Sequence, residues 1–150
     1  MPDHSCPDFV LPATSGTTFS PATAGKPLVI YFYPKDNTPG CTNESIAFRD
    51  LHPEFLALGA DIVGISRDSL KSHENFKSKF GLPFELASDT EEIACNLFDV
   101  IKMKSMYGKQ VRGIQRSTFV IDGSGQLIRE WRGVKVEGHA AEVLEFVKTL

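Results

Sequence analysis

Several scarcities in this 150-residue chain each exclude something. It has three cysteines, Cys6, Cys41 and Cys95, and an odd, low count does not build a disulfide framework. Charge of one sign is not in excess: 16 Lys and Arg against 19 Asp and Glu give a net charge of −3. That balance offers no general attraction to nucleic acid or an anionic membrane, so neither is an expected partner. No apolar run approaches the roughly 20 residues of a membrane span. The first residues, Met1-Pro2-Asp3-His4-Ser5-Cys6, have no basic start and no apolar stretch, so no secretory signal is read and a cytoplasmic protein is expected. Neither a Gly-x-Gly-x-x-Gly run nor a phosphate-loop Lys-Ser/Thr motif occurs. Internal repeats and low-complexity tracts are missing as well. The four histidines, His4, His52, His73 and His139, are scattered; His4 beside Cys6 offers two ligands, too few to specify a metal site.

What is present suits an ordinary globular protein. Hydrophobic residues make up 41% of the chain and charged ones 23%, with 11 Phe, enough for one sizeable core in a single domain spanning 1–150. Phe9–Leu11 and Thr17–Phe19 around Ser15-Gly16 read as an N-terminal β-hairpin. Leu28–Tyr33 is continuously apolar or aromatic, the pattern of a central strand covered on both faces. It must stop at Pro34, which has no N–H. Thr38 and Pro39 then read as cap and first residue of a helix over 39–59, with Phe48, Leu51, Phe55 and Leu58 at helical spacing and Gly59 as its stop. A second buried strand lies at 61–66, and Asp68 or Ser69 caps a helix carrying Leu70, His73, Phe76 and Phe80. A short strand follows at 84–87, and a short helix holds Ile93, Cys95, Leu97 and Phe98. The segment Lys102–Arg112 reads as a polar connection. Thr118–Ile121 and Gln126–Trp131 flank Asp122-Gly123-Ser124-Gly125, a hairpin signal, and Val143–Leu150 closes the chain as a helix on which Trp131 packs with its N–H near the edge. The order β-β-β-α-β-α-β-α-β-β-α predicts a central mixed sheet flanked by helices.

One position carries a chemical signal. Cys41 falls in the first turn of a helix, directly after a buried strand. First-turn N–H groups lack intrahelical acceptors, and with the helix dipole they favour a negative group, here a thiolate. Position alone leaves two readings open, a nucleophile and a buried structural cysteine.

The flanking residues bear on that choice. Pro34-x-x-x-Thr38-x-x-Cys41 resembles the active-site motif of peroxiredoxins. The run Tyr33-Pro34-Lys35-Asp36-Asn37-Thr38-Pro39-Gly40-Cys41-Thr42 is similar to that of the bacterioferritin comigratory protein class, also called peroxiredoxin Q. Echoes continue in Phe48-Arg49-Asp50, Gly64–Asp68, Leu86–Asp89, Tyr107-Gly108-Lys109 and Arg116–Asp122, so the resemblance covers essentially the whole chain. It implies a thioredoxin-like α/β fold and thiol-dependent reduction of hydrogen peroxide and organic hydroperoxides, with no cofactor and no metal. Cys41 matches the attacking cysteine, Thr38 and Pro34 the pocket residues before it, and Arg116 the arginine that stabilises thiolate and leaving oxygen. Arg49 is open between orienting a carboxylate and lying on the helix surface. Relatives of this class are often monomers or weak dimers.

The sequence departs from the commoner pattern at the resolving cysteine. Ile46 and Lys77 occupy the two usual positions. A one-cysteine mechanism is therefore expected, with thioredoxin, glutaredoxin or glutathione as external reductant. Cys95 is the alternative resolving residue, and Cys6, which could bridge a second subunit, is a more remote one. A peroxide sensor without efficient turnover is the competing function. A disulfide reductase is disfavoured because Thr38-Pro39-Gly40-Cys41 lacks the second cysteine of a Cys-x-x-Cys pair. Met103, Met106 and Tyr107 read as a rim over the site mouth, with a positive tilt from Lys102, Lys104, Lys109 and Arg112.

Overall fold

The computed structural model describes residues 5–21 and 25–150; His4 lies outside them. In chain order these residues form β1 (Leu11–Ala13), β2 (Thr17–Phe19), β3 (Leu28–Phe32), α1 (Pro39–Ala57), β4 (Asp61–Ser66), α2 (Leu70–Phe80), β5 (Glu85–Ser88), α3 (Ile93–Leu97), β6 (Ile101–Met106), β7 (Lys109–Ile114), β8 (Ser117–Ile121), β9 (Leu127–Arg132) and α4 (His139–Val147). A seven-stranded sheet runs β2-β1-β5-β4-β3-β8-β9. Its centre is parallel, with Val29 opposite Ile62 and Val63 opposite Glu85. β8 joins β3 antiparallel, Val29 facing Val120, and β1 joins β5 through Ala13 and Ala87.

The register of β3 decides the two sides of the sheet. Val29, Tyr31 and Tyr33 point to one face, with Ile62, Leu86 and Val120, and are covered by Phe48 and Phe55 of α1, Phe76 of α2 and Val143 and Leu144 of α4. Leu28, Ile30 and Phe32 point to the other, with Val63, Ala87 and Phe119, and are covered by Phe9, Ala94, Cys95, Phe98 and Ile114. Every β3 residue is buried, so no polar alternation was available in this strand. Tyr31 stacks on Phe48 with ring centroids 4.8 Å apart and bonds Ser45 Oγ at 2.9 Å, which fixes α1 against the sheet. Burial of Phe48 and Phe55 stabilises the fold by about 1.5–3 kcal/mol each.

Three expectations need correction. The polar connection at 102–112 is a β-hairpin, β6 with β7, pairing Ile101 with Ile114 and Met106 with Lys109. Tyr107 and Gly108 have φ of 51° and 78°, the left-handed pair that a two-residue hairpin turn requires. Lys102 and Lys104 alternate with Ile101 and Met103, a period of two that charge obscures. The first hairpin begins at Leu11 because Ala13 must meet Ala87; Phe9 lies before it and packs edge-on against Phe98 at 5.9 Å. Trp131 does rest on α4, 5.8 Å from the Phe146 ring, but its indole N–H is buried with no partner among the described residues.

Gly64 of β4 lies under Tyr31. A Cβ there would stand 2.7 Å from Tyr31 Cζ and 2.9 Å from Leu86 Cδ2. Gly64→Ala is expected to cost about 1–3 kcal/mol through overpacking. A lower urea midpoint is the readout, and an unchanged midpoint would show that Tyr31 has room to yield.

Candidate active site

The end of β3 delivers the chain into a loop, residues 34–38, in which Asn37 adopts φ 62°, a left-handed conformation that asparagine tolerates. Thr38 is the N-cap of α1, with extended backbone, and Pro39 opens the helix. Thr42 N–H donates to Thr38 O at 2.8 Å and begins the ladder. The amides of Gly40 and Cys41 therefore lie in the unladdered first turn, which is where an anion is favoured.

Cys41 is 1% exposed. Arg116, immediately before β8, reaches it at the end of the sheet: Nη2 donates to Cys41 Sγ at 3.5 Å. The same guanidinium donates through Nη1 to Glu44 Oε1 at 2.6 Å. Glu44 is three residues after Cys41 and so shares its helix face. Gly40 lets the guanidinium lie over the first turn, since a Cβ there would be 3.1 Å from Arg116 Nη2. Burial alone would lower the Arg116 guanidinium, but Glu44 and Cys41 outweigh it and hold it up. Burial pushes the Glu44 carboxyl up to about 7, against the pull of Arg116, and its Oε2 has no partner among the described residues. The Lys104 ammonium of β6 donates to the Ile114 carbonyl, two residues before Arg116. Burial and Arg116 lower its affinity for a proton, while Cys41 raises it.

Of the four expected site residues, the structure brings Cys41 and Arg116 into contact. Thr38 is at the helix cap, where its hydroxyl donates to Lys35 O at 2.8 Å instead of capping the helix or bonding the sulfur. Its oxygen remains free to accept. Pro34, half-buried, begins the loop. Arg49 is not part of the site; it bonds Asp50 and the Phe80 carbonyl and ties α1 to the end of α2.

Cys95 and Cys41 belong to the cores on opposite faces of the sheet. Cys95 is fully buried, its N–H bonded to Asp89 Oδ2 at 2.8 Å, and burial with that carboxylate pushes its thiol well up. Cys6 packs on the same side as Cys95, and burial with Asp8 raises its thiol to about 11. Both are poor nucleophiles in this fold. Among the described residues one trio, Asp36, Asp68 and His73, has ligand atoms within 4.8 Å of one another. Hydrogen bonds within the protein already engage each of them.

Sequence reasoning missed Glu44 and Gly40. The three-residue spacing from Cys41 was the available signal for Glu44. Nothing local marks Gly40, because the group it makes room for arrives from residue 116.

Comparison with known proteins gives a consistent picture. The AhpC/TSA family matches residues 2–129. The chain is 56% identical over 142 residues to peroxiredoxin Bcp of Xanthomonas campestris, covering 94% of this chain and 89% of that one. It is 49% identical over 148 residues to peroxiredoxin Bcp of Bacillus subtilis, covering 98% and 94%. The solved structure of the Xanthomonas campestris bacterioferritin comigratory protein, studied for its alkyl peroxide reduction with trapped intermediates and ligands, superposes with a TM-score of 0.89 at 54% identity, over 94% of this chain and 90% of that one. Among the described residues no helix is long and apolar enough to cross a membrane.

The raised carboxyl has a pH consequence. Between 4.5, its ordinary value, and about 7, folded Glu44 holds a proton that the unfolded chain has released. That contribution to stability is full below about pH 4.5 and is lost as the pH rises through about 7. Wild type is therefore expected to lose stability over this range relative to Glu44→Gln, whose side chain does not titrate, when urea midpoints are compared. A pH-independent difference would show that Glu44 stays ionised against Arg116.

Proposed function

The chain belongs to the AhpC/TSA family, and from that premise we propose that it works through the Cys41 thiolate with an external thiol as reductant. It is a thiol-dependent peroxidase, as its peroxiredoxin relatives are. The observation that carries the assignment to Cys41 is the Arg116 guanidinium at 3.5 Å from Sγ, in the unladdered first turn of α1.

Cys41 Sγ attacks one oxygen of the peroxide and the O–O bond breaks. Sulfur loses two electrons and becomes the sulfenic acid. The departing oxygen gains them and leaves as water or an alcohol once protonated. Arg116 stabilises both the thiolate before attack and the charge on the departing oxygen, because its guanidinium is permanently charged and has several donors. Thr38, whose proton is engaged by the Lys35 carbonyl, uses its free oxygen to accept from the peroxide O–H and aim the O–O bond. Pro34 shields the loop side of the pocket. Glu44 holds Arg116 in place.

The sulfenic acid then reacts with an external thiol, releasing water and forming a mixed disulfide, which a second thiol cleaves to restore Cys41. Ile46 and Lys77 at the usual resolving positions, and the burial of Cys95 behind the sheet, favour this one-cysteine route over a Cys95 route. Thioredoxin, glutaredoxin or glutathione each fit as reductant, and such supplies suit a cytoplasmic setting. One chain carries Cys41, Thr38, Glu44 and Arg116, so a monomer suffices.

The deciding experiment is intact mass and peptide mapping after one equivalent of hydrogen peroxide with dimedone present. One adduct at Cys41, with Cys6 and Cys95 free, is expected; a Cys41–Cys95 disulfide would overturn the one-cysteine route. Cys41→Ser should abolish peroxide reduction with the fold retained. Arg116→Ala should slow the first turnover by about 10²–10³-fold, as loss of one transition-state donor does. An unchanged rate would remove the arginine from the chemistry.

A further inference from the structure

Beneath the loop that precedes Cys41 lies a buried polar cluster that the chemistry above does not use. Asp36, in the middle of that loop, is 4% exposed. Three polar side chains converge on its carboxyl group. Tyr33 Oη donates to Oδ1 at 2.6 Å, Ser72 Oγ donates to Oδ2 at 2.8 Å, and His73 Nδ1 lies 2.7 Å from Oδ2. His73, on α2, is 0% exposed, and its Nε2 lies 3.0 Å from the Ala87 carbonyl of β5. A carbonyl only accepts, so Nε2 carries a proton. Nδ1 and Asp36 Oδ2 share a hydrogen bond at 2.7 Å, the second anchor of the ring.

The other groups around the pair are hydrogen-bonded as well. From the end of β3, burial pushes the Tyr33 phenol well above its ordinary value of 10, with Tyr31 and Asp36 adding to the push, so it faces Asp36 as a neutral donor. From the turn before α2, Asp68 Oδ2 accepts the Asp36 N–H at 2.9 Å and the Ser66 hydroxyl at 2.5 Å. From β5 only the Ala87 carbonyl faces the ring.

We propose that His73 and Asp36 are a positioning pair for the peroxidase reaction, a buried hydrogen-bonded link between α2 and the loop that sets where Thr38 and Cys41 stand. The inference rests on Cys41 being the attacking residue. Lys35 and Asn37 on either side of Asp36 are exposed, so the Asp36 side chain and N–H are what fasten the middle of the loop to the sheet and α2. The loop leads straight into the first turn of α1. Attack on peroxide uses the first turn of α1 as it stands, with Arg116 against Cys41 Sγ. A thiol molecule must reach a sulfur that is 1% exposed, so the loop has to give way in the second half of the cycle. The pair therefore favours attack on peroxide and restrains the reductive step.

The test uses His73→Asn, Asp36→Asn and the double variant. First-turnover rate with hydrogen peroxide and the rate of sulfenic acid reduction by glutathione are measured separately, beside the unfolding midpoint. Each single variant is expected to slow the first turnover roughly 10- to 100-fold, as misplacement of reacting groups does, and to quicken the glutathione step. The double variant should be no slower than the slower single one, because the two residues act as one unit. Both half-reactions falling together in step with the midpoint, or neither moving, would overturn the proposal. Should the variants not fold, ring-nitrogen NMR of the wild type decides. A slowly exchanging, downfield proton shared between His73 Nδ1 and Asp36 supports the pair, and its absence overturns it. Dimedone labelling of wild-type Cys41 is read in the same series. If Cys41 is labelled and the variant rates are unmoved, the positioning role alone fails; if Cys41 is not labelled, the assignment of the nucleophile fails first.

Discussion

The arrangement at the site depends on one guanidinium held between two acidic groups. Arg116 donates to Cys41 Sγ at 3.5 Å and to Glu44 Oε1 at 2.6 Å. A buried cation with no counter-charge would be costly, and a carboxylate alone would repel the thiolate. The triad resolves both demands. Glu44 balances and orients the guanidinium, which donates in turn to Cys41 Sγ. Gly40 is the steric condition for this, since any side chain there would press on Nη2.

Delivering Arg116 to Cys41 requires the sheet. The two residues are 75 apart in the chain. β8 pairs antiparallel with β3, Phe32 opposite Ser117. The residue before β8 and the loop after β3 therefore meet at the same end of the sheet. The same sheet separates the cysteines. Alternation along β3 assigns the Cys41 and Cys95 cores to opposite faces, so an internal disulfide would require a strand layer to be crossed. Reduction from outside needs only that the loop and first turn of α1 give way.

Much of this was legible without coordinates. The apolar run Leu28–Tyr33, the proline after it and the Thr-Pro-Gly-Cys entry into a helix specify strand, break and helix through local rules of backbone sterics and capping. The β6–β7 hairpin was not legible, because its alternation is carried by lysines that read as a solvated loop. Thr38 shows the limit of a motif: its place at the helix cap was evident, but the Lys35 carbonyl takes its hydroxyl proton.

By itself the sequence determined the setting of Cys41. A cysteine in the first turn after a buried strand is a consequence of residues within about ten positions of one another, and local rules suffice for it. Only the tertiary structure decided its partners. Glu44 acquires a role once Arg116 arrives. His73, which reads as one more apolar-stripe residue of α2, becomes the hydrogen-bond partner of Asp36 because that residue lies beneath the loop beside it. Cys95 is set apart from Cys41 because the sheet stands between their two cores. Long-range pairing of strands places charges and thiols that no spacing along the chain encodes.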